Sequence, residues 1–139
     1  MRLSPHALWG AFLLLAAYPA PASKIQVLSG TGMDDTVEWE FRCSEGRNCG
    51  DWTTIPVPSN WELQGFGRYD YGRQDKKQPE AASYRYRFDV PESWGERRIE
   101  LVFDGVMTDA EVRLNGELAG PSHQGGFYRF RFDVTELME

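Results

Sequence analysis

The sequence is short of the residues on which most compact enzymes rely. It holds two histidines and two cysteines. It contains no phosphate-cradling G-x-x-x-x-G-K-S/T loop, no G-x-S-x-G nucleophile elbow and no H-E-x-x-H helix, so nucleotide, serine-hydrolase and zinc-protease chemistries have no anchor. Positive charge is also scarce. Fifteen lysines and arginines face 21 aspartates and glutamates, a formal net charge of −6 at pH 7. Binding phosphate needs a basic face, which argues against nucleic acid as a partner. Long apolar runs are lacking apart from Ala7 to Ala17, and a membrane-spanning helix needs about 20 such residues. A chain of 139 residues suits one domain or part of one and is too short for a barrel enzyme. Its 41% hydrophobic content argues against global disorder.

The one apolar run has the form of a secretory signal. Arg2 supplies a thin positive start, Ala7–Ala17 the apolar centre, and Ala20-Pro21-Ala22 a small-residue cleavage site. The expectation is a signal peptide over 1–22 and a single domain over 23–139. A retained anchor is the alternative, and no cysteine near the cleavage point offers a lipidation site. Cleavage after Ala22 removes Arg2 and no acid, leaving 117 residues at a net charge of −7. The expected location is exported, periplasmic or extracellular, with no membrane contact after signal removal. Export sets the redox context for Cys43 and Cys49. The segment between them, Ser44-Glu45-Gly46-Arg47-Asn48, allows a tight turn, and an oxidising compartment permits a disulfide. A redox pair or metal site is the other reading. The spacing is not C-x-x-C and no histidine lies nearby, so no metal ligand is assigned.

The rest of the chain alternates. Val37, Trp39 and Phe41 alternate with charged residues. So do Tyr84, Tyr86, Phe88 and Val90. The same holds for Ala110, Val112 and Leu114 and for Tyr128, Phe130, Phe132 and Val134, while Ile99, Leu101 and Phe103 alternate with Glu100, Val102 and Asp104. A period of two puts each apolar set on one face of a strand. Five such segments without a sustained helical period predict antiparallel sheets around a core. Asn115-Gly116 between two of them is a type I′ hairpin signal. Pro91 to Gly95 breaks the pattern, and Gly125-Gly126 suits a sharp bend.

Residues 56–83 break the rule. This stretch is long, polar and rich in glycine, proline and aromatics, and long loops in compact domains often carry function. Trp61, Phe66, Tyr69 and Tyr71 offer flat faces, and Glu62, Gln64, Arg68, Asp70 and Arg73 offer hydrogen bonds. Rings beside planar polar groups suit a sugar, whose C–H faces pack on the rings while its hydroxyls find polar partners. The competing reading makes Trp61 and Phe66 loop anchors buried under the sheet. His123, the one histidine beyond residue 22, sits in Pro121-Ser122-His123-Gln124 and reads as a loop hydrogen-bonder.

Several stretches together resemble one family. Trp52-Thr53-Thr54-Ile55-Pro56-Val57-Pro58-Ser59-Asn60-Trp61-Glu62-Leu63-Gln64-Gly65-Phe66-Gly67 resembles the start of the N-terminal sugar-binding domain of glycoside hydrolase family 2. Tyr84–Pro91 is similar to its strand before a tryptophan-containing turn. Leu101-Val102-Phe103-Asp104-Gly105-Val106 is similar to its F-x-G-V strand, and Val112–Glu117 to its V-x-x-N-G hairpin. Gly120–Thr135 is similar to its G-G-F/Y-x-x-F-x-F-D-V/I-T run. The resemblance covers about residues 37–138. It implies an all-β fold, an antiparallel jelly-roll β-sandwich like galactose-binding domains. Against the family pattern the last strands are missing, so an incomplete C-terminal end is expected.

The family's members, β-galactosidases, β-glucuronidases and β-mannosidases among them, are retaining enzymes with two catalytic carboxylates about 5–5.5 Å apart. The resemblance implies that both lie on a TIM barrel beyond an immunoglobulin-like domain, so no catalytic residue and no cofactor is assigned here. It also implies a loop of this domain that reaches the substrate. Phe66-Gly67-Arg68-Tyr69-Asp70-Tyr71-Gly72 stands where β-galactosidases often carry P-I-Y-T-N; Tyr69 matches the tyrosine, and Asp70 stands nearest the absent asparagine. The candidate substrate-binding residues are Trp61, Arg68, Tyr69, Asp70 and Tyr71, and the expected ligand is a β-glycoside. The expected role is a carbohydrate-binding domain of an exported glycosidase, inactive without the immunoglobulin-like and barrel domains. The alternatives are a fragment of an active β-galactosidase-like enzyme and a secreted adhesion or scaffold sandwich.

Overall fold

A computed structural model of the chain describes residues 22–68 and 80–138. Their regular elements are strands and two 3₁₀ turns, and every strand pair is antiparallel. The chain divides into two compact units, one ending at Arg85 and one beginning at Tyr86.

In the first unit, β1 (Val37–Cys43) lies between β2 (Thr53–Val57) and β3 (Ala82–Arg85). The alternation along β1 is the cause of its two faces. Glu38, Glu40 and Arg42 are exposed, Val37 and Trp39 half-buried, and Phe41 and Cys43 buried. The register sets Trp39 opposite Ile55, and Phe41 opposite Thr53 on one side and Tyr84 on the other. Phe41 and Ile55 are fully buried, and Cys49, Val57, Trp61 and Phe66 pack against them. Burying each of these two side chains contributes roughly 1.5–3 kcal/mol. The outer face is polar. There the Arg85 guanidinium lies 4.2 Å from the Trp52 ring centre and Arg42 lies 5.4 Å from it.

The alternation of Tyr84 to Val90 predicts one long strand, but β3 stops at Arg85. Beyond it Tyr86, Phe88 and Val90 remain half-buried while Arg87 and Asp89 are exposed, as far as Pro91, which has no N–H to donate to a ladder. A 3₁₀ turn over Glu92–Trp94 follows.

The second unit pairs β4 (Glu100–Phe103) with β9 (Phe130–Asp133), β5 (Asp109–Ala110) with β8 (His123–Gln124), and β6 (Arg113–Leu114) with β7 (Glu117–Leu118). Asn115 and Gly116 join β6 to β7 with φ of 51° and 89°, the left-handed pair that a type I′ turn requires. The predicted strand from Ala110 to Leu114 is two short pieces with different partners. Its exposure still alternates, because Ala110, Val112 and Leu114 face inward. The predicted strand from Tyr128 begins only at Phe130, and Tyr128 is exposed. Phe130 stacks on Phe103 with ring centres 4.9 Å apart and on His123 at 3.9 Å. Gly120 is required beneath Phe132, since a Cβ there would stand 2.5 Å from the ring. Val134 is fully buried and donates its N–H to the Ile99 carbonyl at 2.9 Å.

Candidate functional site

The first half of the loop after β2 is built on Asn60. Its side-chain oxygen accepts the N–H of Glu62 at 2.9 Å and of Leu63 at 3.4 Å, the short-range bonding that makes asparagine a turn-former. Its carbonyl accepts from Leu63 and Gln64, and the Trp61 carbonyl accepts from Gln64 and Phe66. These bonds wind residues 60–66 tightly enough to present Trp61 and Phe66 to the same neighbour. Both rings rest on Phe41, Trp61 edge-on at 5.7 Å and Phe66 tilted at 4.8 Å. Trp61 is half-buried in this contact, and Glu62 half-buried beside it.

A second turn meets this loop. A disulfide joins Cys43 to Cys49, closing the segment that leaves β1. Asn48 within it adopts φ of 52° and donates its side-chain amide to the Gly65 carbonyl at 3.1 Å. Arg47 and Gly67 exchange two backbone hydrogen bonds, each of 3.0 Å. Gly46 lies so close to Gly67 that a Cβ would come within 2.5 Å of its backbone, and its φ of 101° is disfavoured for any other residue. Glu45 faces Arg68 at 3.6 Å.

The same turn holds the far end of the loop. The Ser44 N–H donates to the Ala81 carbonyl at 2.9 Å, and its hydroxyl accepts the Ala81 N–H at 3.0 Å. Glu80 then reaches Arg68 at 4.0 Å, so one guanidinium stands between two carboxylates, Glu45 and Glu80. Of the candidate binding residues, Trp61 and Arg68 are therefore located. Tyr69, Asp70 and Tyr71 lie outside the described residues. Sequence reasoning did not single out Ser44, Glu45, Asn48 or Glu80. The available signal was the glycine- and asparagine-bearing turn between the cysteines.

Titration in this unit departs from ordinary values at two described groups. Packing against Phe41 desolvates Tyr84 and raises its hydroxyl's pKa. At Asp35 the Thr31 hydroxyl and N–H donate to the carboxylate and hold its pKa below the usual range. In the second unit, a ring nitrogen of His123 lies 3.0 Å from the Gly125 carbonyl, which accepts its hydrogen bond. Among the described residues no group of three or more histidine, cysteine, aspartate or glutamate side chains is arranged to hold a metal ion.

Residues 39–139 match the model of the family described as the glycosyl hydrolase 2 galactose-binding domain-like family. The chain belongs to that family. An antiparallel, galactose-binding-like β-sandwich is its fold class, in agreement with the alternation of the sequence. A β-glucuronidase of Bacteroides fragilis is 29% identical over 130 residues, which are 92% of this chain and 17% of that protein. A β-galactosidase of Arthrobacter sp. is 34% identical over 143 aligned residues, covering 91% of this chain and 14% of its own length. Among solved structures, a Bifidobacterium dentium β-glucuronidase complexed with coumarin-3-O-glucuronide superposes with a TM-score of 0.57 at 28% identity, over 74% of this chain and 17% of that one. A β-D-glucuronidase of Dictyoglomus thermophilum gives 0.52 at 27% identity, over 74% and 16%. The family domain thus spans about a sixth of the relatives it matches.

Proposed function

We propose that this family 2 domain is a carbohydrate-binding module of an exported glycosidase, non-catalytic by itself, whose loop 56–83 contributes contacts to a β-glycoside. The observation that carries this reading is a match over 39–139 to a galactose-binding-like domain family, together with an alignment of 92% of this chain to 17% of a β-glucuronidase. A retaining glycosidase needs a carboxylate pair about 5–5.5 Å apart. The family resemblance carries no catalytic carboxylate onto these residues, so the reacting groups belong to the remaining domains. Trp61 and Arg68 at the near end of the loop, with Tyr69, Asp70 and Tyr71 after them, are the proposed contacts. Export rests on residues 1–22 and on the paired cysteines, which suit an oxidising compartment.

The test uses the full chain with a panel of aryl β-galactosides, β-glucuronides and β-mannosides. The expected result is measurable binding by calorimetry and no release of the aryl alcohol. Hydrolysis above the buffer rate overturns the non-catalytic role. A folded chain that binds none of the panel overturns carbohydrate binding and favours a scaffold sandwich. A second reading, that the chain is part of an active enzyme, is supported by the relatives' names, β-glucuronidase and β-galactosidase. An in-frame barrel in the nucleotide sequence past codon 139 would favour it.

A further inference from the structure

Every residue between the two cysteines touches one end or the other of the loop that follows β2. Ser44 takes Ala81 in a two-way hydrogen bond, and Glu45 takes Arg68. Gly46 lies against the Gly67 backbone, Arg47 forms the paired bridge to Gly67, and Asn48 reaches Gly65. These contacts span separations of 17 residues for Asn48–Gly65 and 37 for Ser44–Ala81, so they are tertiary fastenings and not features of one local turn. Arg68 and Glu80, the two residues bracketing positions 69–79, also meet each other.

We propose that the turn closed by Cys43–Cys49 is a positioning clamp for the sugar-contacting loop, locked by the Glu45–Arg68–Glu80 triplet. The role in sugar binding rests on the function proposed above; the clamp itself rests on the contacts just given. In the clamp Arg68 also acts as a positioning residue, beside the sugar contact proposed for it above. Its guanidinium lies 3.6 Å from Glu45 and 4.0 Å from Glu80, and a planar fork is the side chain suited to bridging two acids. Glu80 is the more enclosed acid, its side chain 18% exposed against 47% for Glu45, so the Arg68–Glu80 contact is the less screened by solvent. Holding both loop ends in place before binding removes part of the ordering cost that a free loop would incur on meeting its sugar.

Amide hydrogen exchange on the full chain, read at Ser44, Arg47, Gly67 and Ala81, tests the clamp without any ligand. Arg68→Glu is expected to speed exchange at Gly67 and Ala81 by about tenfold, while Trp39 and Ile55 in the β1–β2 ladder keep their protection. The charge swap Arg68→Glu with Glu80→Arg is expected to restore it. Arg68→Gln and Glu45→Gln, both at exposed positions, give milder versions should the reversed charge impair folding. Unchanged protection in all of these variants overturns the clamp. Calorimetry with the same glycoside panel reads the consequence. A loss of about tenfold in affinity in Arg68→Glu, regained in the swap at unchanged Tm, supports the positioning role. Loosened amides with unaltered affinity overturn that role. A folded wild-type chain that binds no sugar, with amides responding as expected, overturns the carbohydrate reading and supports the clamp.

Discussion

Trp61 meets Phe41 edge-on, with ring centres 5.7 Å apart and planes inclined at 77°. This arrangement sets the positive edge of one ring against the negative face of the other and adds to plain area burial. The ring that the sequence offered as a sugar platform is thus also part of what holds the loop to the sheet. Trp61→Ala should cost about 2 kcal/mol, below the 3–5 typical of a fully buried aromatic because Trp61 keeps partial exposure. Trp61→Phe should recover most of the loss. Midpoints of urea unfolding at constant slope would measure both. A Trp61→Ala chain as stable as the wild type would remove the anchoring role and leave the ring free for a ligand.

The β6–β7 turn separates two contributions. Asn115 has φ of 51° and donates its side-chain amide to the Leu137 carbonyl at 2.9 Å. Asn115→Ala loses both the left-handed tolerance and the hydrogen bond, whereas Asn115→Gly loses only the bond. The first should cost about 1–2 kcal/mol more than a well-tolerated surface change, and the second about 1 kcal/mol. Gly116→Ala, at φ of 89°, should fall near the first. Equal stabilities for Asn115→Ala and Asn115→Gly would show that backbone conformation contributes nothing at this position.

Asp133 carries a pH signature. The Thr135 hydroxyl and N–H donate to its carboxylate at 2.6 and 3.2 Å, and Arg98 donates at 2.8 Å. These donors hold its pKa below the ordinary value. A depressed folded-state pKa means that the unfolded chain binds the proton more readily. The stabilisation is therefore complete above the unfolded value of about 3.9 and is lost as pH falls through the lower folded value. The stability gap between wild type and Asp133→Asn should be flat from pH 5 upward, at about the level seen at neutrality, and should shrink on acidification below about pH 4. Thermal melts across pH 2.5 to 7, roughly the span of that titration, give the curve. A gap that grew toward acid would mean the wrong sign for this carboxylate.

How much of this was legible in the sequence differs between elements. The faces of β1 followed from Val37, Trp39 and Phe41, and the β6–β7 turn from Asn115-Gly116, because both depend on near neighbours. Ladder length was not legible. The alternation from Tyr84 to Val90 persists in burial, yet β3 ends at Arg85, since period two reports which way a side chain faces and not whether a partner strand lies alongside. The division of Ala110–Leu114 between two partners has the same origin. For the site, Trp61 and Arg68 were named from residue type. The residues around them, Ser44, Glu45, Asn48 and Glu80, were missed, because their contacts join positions from 12 (Arg68–Glu80) to 37 (Ser44–Ala81) apart and only folding brings these together.

Reduction of Cys43–Cys49 should destabilise the chain modestly. The two cysteines are six residues apart, and closing so short a loop restricts the unfolded chain by only about 2 kcal/mol on the chain-entropy account. The folded state has its own stake, because Cys43 is 1% exposed in the core beside Phe41 and Ile55. A double Cys43→Ala, Cys49→Ala variant therefore adds a packing loss to the entropic one and should fall below the reduced wild type, which keeps both sulfur atoms. The order oxidised, reduced, double alanine in unfolding midpoint is the expectation, with the first step near 2 kcal/mol. A first step well above that value would mean that the bond also supports folded-state contacts, and the amides of Ser44 and Gly67 are where the difference would show. If reduced and oxidised chains melted alike, the cross-link would be structurally idle, and the turn between the cysteines would owe its shape to Gly46, Asn48 and their partners alone.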